Sequence, residues 1–349
     1  MAQTIVEFEN PIEELEKRIK ELKVMSEQRN LDLSNEIDSL RREKDNLIRK
    51  LFSNLSAWQK IQIARHPNRP KLRFYLKHVF DEYIELSGDR VFSDDPSVLC
   101  GFCKIEDTKM MVVGTNKGDD IDERVKCNFG CPHPEAYRKA MHKFRLAERF
   151  SLPIVTFIDT PGAFPGIEAE QRNQSQAIAE NIALMSRLTV PVISILTGEG
   201  GSGGALAIGV CDKLYILEYA YYSVISPEGC AAILWKDAAK APEAAEALSI
   251  TSHKLKEMNI ADDIIQEPLG GAHRNPIEAA VSIREWIKMG LLELSRFSAH
   301  ELTENRYKRF RRMGEYTVGT VEPESPSEPD ESQAHKEPQE TEFQPQAVD

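Results

Sequence analysis

The sequence predicts an α/β protein with buried strands and crossover helices. Three observations carry that reading. From about residue 98, short apolar strands alternate with helical stretches, the order expected when helices cover a buried sheet. Two of those strands run into segments dense in glycine and proline. The length, 349 residues with 41% hydrophobic and 29% charged, suits one large domain or two ordinary ones with a substantial core.

In chain order, Ile12, Leu15, Ile19 and Leu22 step by three and four along a charged stretch, which predicts an amphipathic helix. After a polar break around Asn30, Ser34 is expected to cap a second helix bearing Ile37, Leu40, Leu47, Leu51 and Leu55. The two form a helical hairpin, either an arm packed on its own domain or an oligomer contact. His66-Pro67-Asn68-Arg69-Pro70 breaks the pattern, and residues 71–87 read as a further helix with Leu72, Tyr75, Leu76, Val79, Phe80 and Tyr83 apolar. Strands are expected at 98–105, 110–114, 154–159, 192–196, 214–217 and 223–225. Helices are expected near 134–150, 169–186, 203–210, 231–235, 242–247, 251–258 and 276–297. From residue 317 the composition turns to Pro, Glu, Ser and Gln, which cannot offset the entropy of ordering and predicts a disordered tail. The expected divisions are a helical arm (1–60), a main body (61–316) and the tail (317–349).

The net charge of −12 is concentrated in that tail, where residues 318–349 carry nine acids against Lys336. The body is near balance, and a basic patch remains at Arg306, Lys308, Arg309, Arg311 and Arg312. Truncation after Tyr316 is expected to leave activity and melting temperature nearly unchanged; a large fall in either would show that the tail docks. No apolar run approaches the roughly 18 residues of a membrane span, and the acidic N-terminal stretch resembles neither a secretory nor a transit signal, so a cytoplasmic protein is expected. Cys100-x2-Cys103 and Cys127-x3-Cys131 have the look of a four-thiolate zinc site. Residues three apart on a strand face opposite sides, however, so free buried thiols and no metal are expected.

Chemistry is expected where strands end in glycine-rich turns. Asp159-Thr160-Pro161-Gly162-Ala163-Phe164-Pro165-Gly166 is one such segment, stiffened by two prolines. Gly198-Glu199-Gly200-Gly201-Ser202-Gly203-Gly204-Ala205 is the other, and three readings pass through it. Gly198-x-Gly200-x-x-Gly203 with Glu218 is a dinucleotide fingerprint, although only nine residues separate Gly203 from Lys213. Gly200-x-Ser202-x-Gly204 is a nucleophile elbow, with Asp262 or Asp263 and then His273 in the order a serine hydrolase requires. The third reading uses backbone alone: paired glycines at a helix start offer free N–H groups to an oxyanion. A non-catalytic scaffold recruiting partners through its arm and tail is the alternative outside the enzymes.

The segments Phe157–Gly166, Gly198–Ala207 and Tyr222-Ser223-Val224-Ile225-Ser226-Pro227-Glu228-Gly229-Cys230 together closely resemble the carboxyltransferase alpha subunits of bacterial-type acetyl-coenzyme A carboxylase. So do Leu269-Gly270-Gly271-Ala272-His273-Arg274-Asn275-Pro276 and the early Phe8-Glu9-x-Pro11-Ile12. The resemblance spans residues 8–316 and excludes the acidic tail. It implies a crotonase-like ββα superhelix, with residues 61–316 as the carboxyltransferase domain. It implies transfer of a carboxyl group from carboxybiotin, borne by the biotin carboxyl carrier protein, to acetyl-CoA, giving malonyl-CoA for fatty acid biosynthesis. The implied partners are a zinc-ribbon beta subunit, the carrier protein and biotin carboxylase, with an alpha2beta2 core. The implied catalytic pair is Gly203 and Gly204, which polarise the biotin ureido carbonyl. Gly162 and Ala163 are expected to shape the carboxybiotin pocket, with Tyr222, Ser226 and Glu228 lining it. Arg124 and Lys126 are either a solvated face or contacts to coenzyme A phosphates.

Overall fold

A computed structural model describes residues 6–314, so the acidic tail expected from residue 317 lies outside the described residues. The hairpin and the body through Met313 belong to one compact unit. Among the described residues no helix is long and apolar enough to cross a membrane.

The hairpin forms as expected, from helices Asn10–Arg29 and Ser34–Phe52. Asn30 ends the first in the left-handed region (φ 50°). Ser34 does not cap the second: it is the first helical residue after Leu33, and Asp32 Oδ1 accepts from its N–H (3.1 Å) and hydroxyl. Ile12, Ile19 and Ile37 are buried, but Ile48 takes the inward position expected of Leu47. A short helix, Ala57–Ala64, follows, closed by a reciprocal cap between Ser56 and Gln59.

The sheet has eight strands: β1 (Glu82–Glu85), β2 (Val98–Ile105), β3 (Thr108–Thr115), β4 (Ile154–Thr160), β5 (Val192–Gly201), β6 (Lys213–Leu217), β7 (Tyr221–Ser223) and β8 (Asp263–Ile265). Their order is β1-β2-β3-β4-β5-β6-β8. The β1-β2-β3 edge is antiparallel and the rest is parallel. Every residue of β4 is buried, as a strand covered by helices on both faces must be. Helix Pro134–Arg149 crosses from β3 to β4.

The expected helix over 71–87 is half right. Leu72–Val79 is helical, but Phe80 turns extended (φ −102°, ψ 146°) and Glu82–Glu85 pairs with Gly101–Lys104 as β1. Tyr83 fell on the helical spacing by coincidence. Gly101 is required there, because a Cβ would run into the Ile84 carbonyl and the Tyr83 ring. The helix expected over 169–186 divides into Ile167–Gln171 and Gln174–Met185 around Asn173 (φ 66°). The strand expected at 223–225 lies instead at Tyr221–Ser223.

The largest difference concerns β5. Residues 193–196 pair with β6, and residues 199–201 continue the strand by pairing with β7. The glycine-rich segment is therefore not a turn. Strand passes directly into helix Ser202–Leu206, because β7 holds Gly200 and Gly201 extended. On the opposite flank, helix Ala299–Arg311 docks through Arg306. Its guanidinium grips Asp212 (2.9 and 2.8 Å) and the carbonyls of Met185, Leu188 and Val190. Arg309 binds Asp262. Two arginines of the basic patch are thus committed within the fold.

Candidate active site

The two glycine-rich segments meet backbone to backbone. A Cβ on Gly201 would collide with the Pro161 carbonyl, and one on Gly204 with the Gly162–Ala163 peptide. Gly162 itself adopts φ +146°, open to glycine alone at little cost. Thr160 fixes this approach: its hydroxyl donates to the Gly130 carbonyl (2.7 Å) and accepts from the Gly162 N–H (3.0 Å). Gly203 differs from its neighbour. Nothing lies closer to its Cβ position than the Ile178 methyl at 3.8 Å. Gly203 and Gly204 fall in the first turn of helix Ser202–Leu206, where N–H groups have no intrahelical acceptor.

A charge network underlies this junction. Lys117 bridges Asp159 Oδ1 (2.7 Å) and Glu199 Oε1 (2.6 Å). Glu199 Oε2 accepts from Arg65 (2.7 Å) and from the Tyr221 hydroxyl (2.6 Å), and Arg65 also pairs with Glu228 (2.6 Å). The Glu199 N–H donates to Asp159 Oδ1 (2.9 Å). Burial alone would raise the Glu199 carboxyl, but Lys117 and then Arg65 outweigh it and bring its pKa down to about 2. Burial raises Tyr221, and Glu199 adds to that, so its hydroxyl remains a donor. A cleft of about 830 Å³ opens beside the network, reached by Arg65, Lys117, Arg124, Phe129, Pro161 and Glu228. A smaller pocket of about 210 Å³ adjoins it, walled by Gly201, Ser202, Tyr221, Ser223, Ile225 and Ser226.

The structure brings Gly162, Ala163, Gly203 and Gly204 together, with Glu228 and Ser226 nearby. Glu228 holds Arg65, and Ser226 caps helix Pro227–Trp235 through the Gly229 N–H (3.0 Å). Tyr222 is the exception. It packs beneath Gly200 and Gly209, while Tyr221 faces the pocket. Successive strand residues point to opposite faces, so naming 222 rather than 221 reversed the side. Arg124 reaches the larger cleft and Lys126 stays exposed. The sequence reading missed Lys117, Arg65 and Tyr221. Their only signal was the need to pair Glu199, an acid placed inside a glycine run.

The rival readings of the glycine run do not assemble. Asp262 is held by Arg309 and the Leu214 N–H, Asp263 by Lys256, and His273 lies against Glu9 (3.3 Å) and stacks on His66. None of them reaches Ser202. Gly198 and Gly200 sit inside β5 rather than in a strand-to-helix turn, which removes the dinucleotide fingerprint. Cys100 and Cys103 stand opposite Val113 and Met110 on β2 as free thiols, Cys100 pushed up to about 12 by burial. Among the described residues, Glu9, His66 and His273 approach metal-ligand spacing, but the Arg274 guanidinium already sits on the Glu9 carboxylate.

Ser202 enters its helix at φ +43°, a conformation a side chain adopts only at a cost. Ser202→Gly is expected to hold or raise thermal stability, by up to about 1 kcal/mol. Ser202→Ala is expected to reduce activity by less than about tenfold, far below the effect of losing an oxyanion donor. A clear drop in melting temperature for Ser202→Gly, or abolished activity for Ser202→Ala in a well-assembled protein, would give the hydroxyl a role this geometry denies it.

A family model described as acetyl co-enzyme A carboxylase carboxyltransferase-like matches residues 5–314. The chain is 51% identical over 314 residues to the acetyl-coenzyme A carboxylase carboxyl transferase subunit alpha of Azotobacter vinelandii, covering 90% of this chain and 99% of that one. Identity to the same subunit of Haemophilus influenzae is also 51% over 314 residues, with 90% and 99% covered. Among solved structures it is similar to the transcarboxylase 12S core with methylmalonyl-coenzyme A bound. That match has a TM-score of 0.54 at 18% identity and covers 66% of this chain but 42% of that one. The beta subunit of P. aeruginosa geranyl-CoA carboxylase gives a TM-score of 0.51 at 15% identity, covering 71% and 46%. These two likenesses concern the fold, and both support the crotonase-like architecture.

Proposed function

The chain belongs to the acetyl-coenzyme A carboxylase carboxyltransferase-like family, and from that premise we propose that Gly203 and Gly204 form the oxyanion-binding half of its carboxyl-transfer site. The reaction is the transfer of a carboxyl group from carboxybiotin to acetyl-CoA, giving malonyl-CoA. The single observation that carries the assignment is the open face of Gly203 beside the closed face of Gly204. One glycine admits a ligand to the helix start, and the other lets the 159–166 segment pack against it.

Carboxybiotin, when bound, supplies the carboxyl group and the nitrogen base that takes a proton from the acetyl methyl. The chain's own part is electrostatic. The N–H groups of Gly203 and Gly204 donate to the ureido oxygen where negative charge develops, helped by the partial positive charge of a helix start. Because the N–H groups are fixed before the ligand arrives, little reorganisation opposes the step. Gly162 and Ala163 pack against Gly204 at the helix start, Tyr221 and Ser226 border the smaller pocket, and Glu228 borders the larger cleft. No carboxylate or imidazole of the chain is required as base.

The complementary half of the site, which holds the acetyl-CoA enolate, belongs to a zinc-ribbon beta subunit in this reading. The working assembly is alpha2beta2, served in the cytoplasm by the biotin carboxyl carrier protein and biotin carboxylase. The helical arm (1–60) and the carboxyltransferase body (61–316) act together as its alpha subunit. The test is malonyl-CoA formation from acetyl-CoA and carboxybiotin by the chain assembled with a beta subunit. An assembled complex that makes none would overturn the reading.

A further inference from the structure

We propose that Lys117 is a positioning residue for carboxyl transfer, its ammonium setting the spacing between the two glycine segments by bridging one carboxylate in each. Asp159 is the penultimate residue of β4 and opens the 159–166 segment; Glu199 lies in β5 just before the helix start at Ser202. Both carboxylates are about 90% or more buried, and a single Lys117 Nζ lies 2.7 Å from one and 2.6 Å from the other. The segments otherwise meet through backbone packing and through the Glu199 N–H donated to Asp159 Oδ1, and the contact tolerates no extra atom: a Cβ on Gly198 would collide with the Asp159 carboxylate. A shift of this pair therefore displaces Gly203 and Gly204 relative to Gly162. The inference rests on the glycine reading above and adds a residue to it.

The charges around the bridge decide what its removal does. Glu199 also faces Arg65 and the Tyr221 hydroxyl, and Glu228 stands behind Arg65. Asp159 takes the Glu199 N–H, and Arg69 lies beyond it, committed to Glu267. Lys71, Tyr75 and Cys131 are further titratable neighbours of this wall. Burial opposes the Lys117 charge, but Asp159 and Glu199 more than offset this, so the ammonium stays protonated through the neutral range. Without it, the Asp159 carboxylate loses its ammonium partner and two negative charges stand across the junction, with Glu199 left to Arg65. The charges repel, and the segments part.

The experiment measures kcat and the KM for acetyl-CoA in the assembled alpha–beta complex, each variant well below its own unfolding midpoint. For Lys117→Met, kcat is expected to fall about tenfold or more, the effect of a displaced catalytic pair, with KM little changed. Lys117→Met/Glu199→Gln, which removes the repulsion, is expected to recover most of that loss, and Lys117→Arg to stay near wild type. An unchanged kcat for Lys117→Met, or a loss that the double variant does not relieve, overturns the proposal. Should Lys117→Met fail to assemble, the double variant is still expected to assemble, and its failure would equally overturn it. A wild-type complex without carboxyl transfer at any pH would instead remove the functional reading on which the proposal rests.

Discussion

Gly203→Ala in the assembled alpha–beta complex is expected to lower carboxyl transfer by about 10²-fold or more, the scale of a lost oxyanion donor, without loss of stability. The added methyl meets only the Ile178 side chain, at ordinary contact distance, so the folded chain accommodates it. Alanine is also the better helix former by about 1 kcal/mol, so the melting temperature should hold or rise. What the methyl does occupy is the open face through which a ligand oxygen approaches the helix start. Gly204→Val should behave differently. Its Cβ would strike the Gly162–Ala163 peptide, so the two segments must part, and overpacking of this kind costs about 1–3 kcal/mol. Activity and melting temperature should fall together there. The contrast between neighbouring glycines separates ligand approach from packing. Full activity in Gly203→Ala would remove Gly203 from the site.

The sequence made the strands of the parallel core legible because they are buried on both faces and read as continuous apolar runs, as in residues 154–158 and 192–196. It made the glycine segments conspicuous because no packing rule places so many glycines together. What it hid depended on distance along the chain. The continuation of β5 to Gly201 exists only because β7 pairs with it from 22 residues away, and no local pattern announces that. Strand β1 was masked by Tyr83 falling on a helical period, and β8 has only three residues. The Tyr221/Tyr222 reversal is a register error of one residue, which in a strand is an error of face. Two missed helices did carry local signals, the caps Ser56-x-x-Gln59 and Ser298-x-x-Glu301. The Lys117–Asp159–Glu199–Arg65 network joins residues up to 134 positions apart and could come only from the fold.

The central claim is that this chain supplies one half of a carboxyl-transfer site. Its geometry presents a single glycine pair at a helix start, suited to one developing negative charge, whereas the reaction develops charge on the ureido oxygen and on the acetyl thioester. The most direct measurement is malonyl-CoA formation from acetyl-CoA and carboxybiotin by the purified chain alone, by a beta subunit alone, and by the two together at equal concentration. The account predicts turnover only in the combined sample. Robust malonyl-CoA formation by the purified chain alone would contradict it.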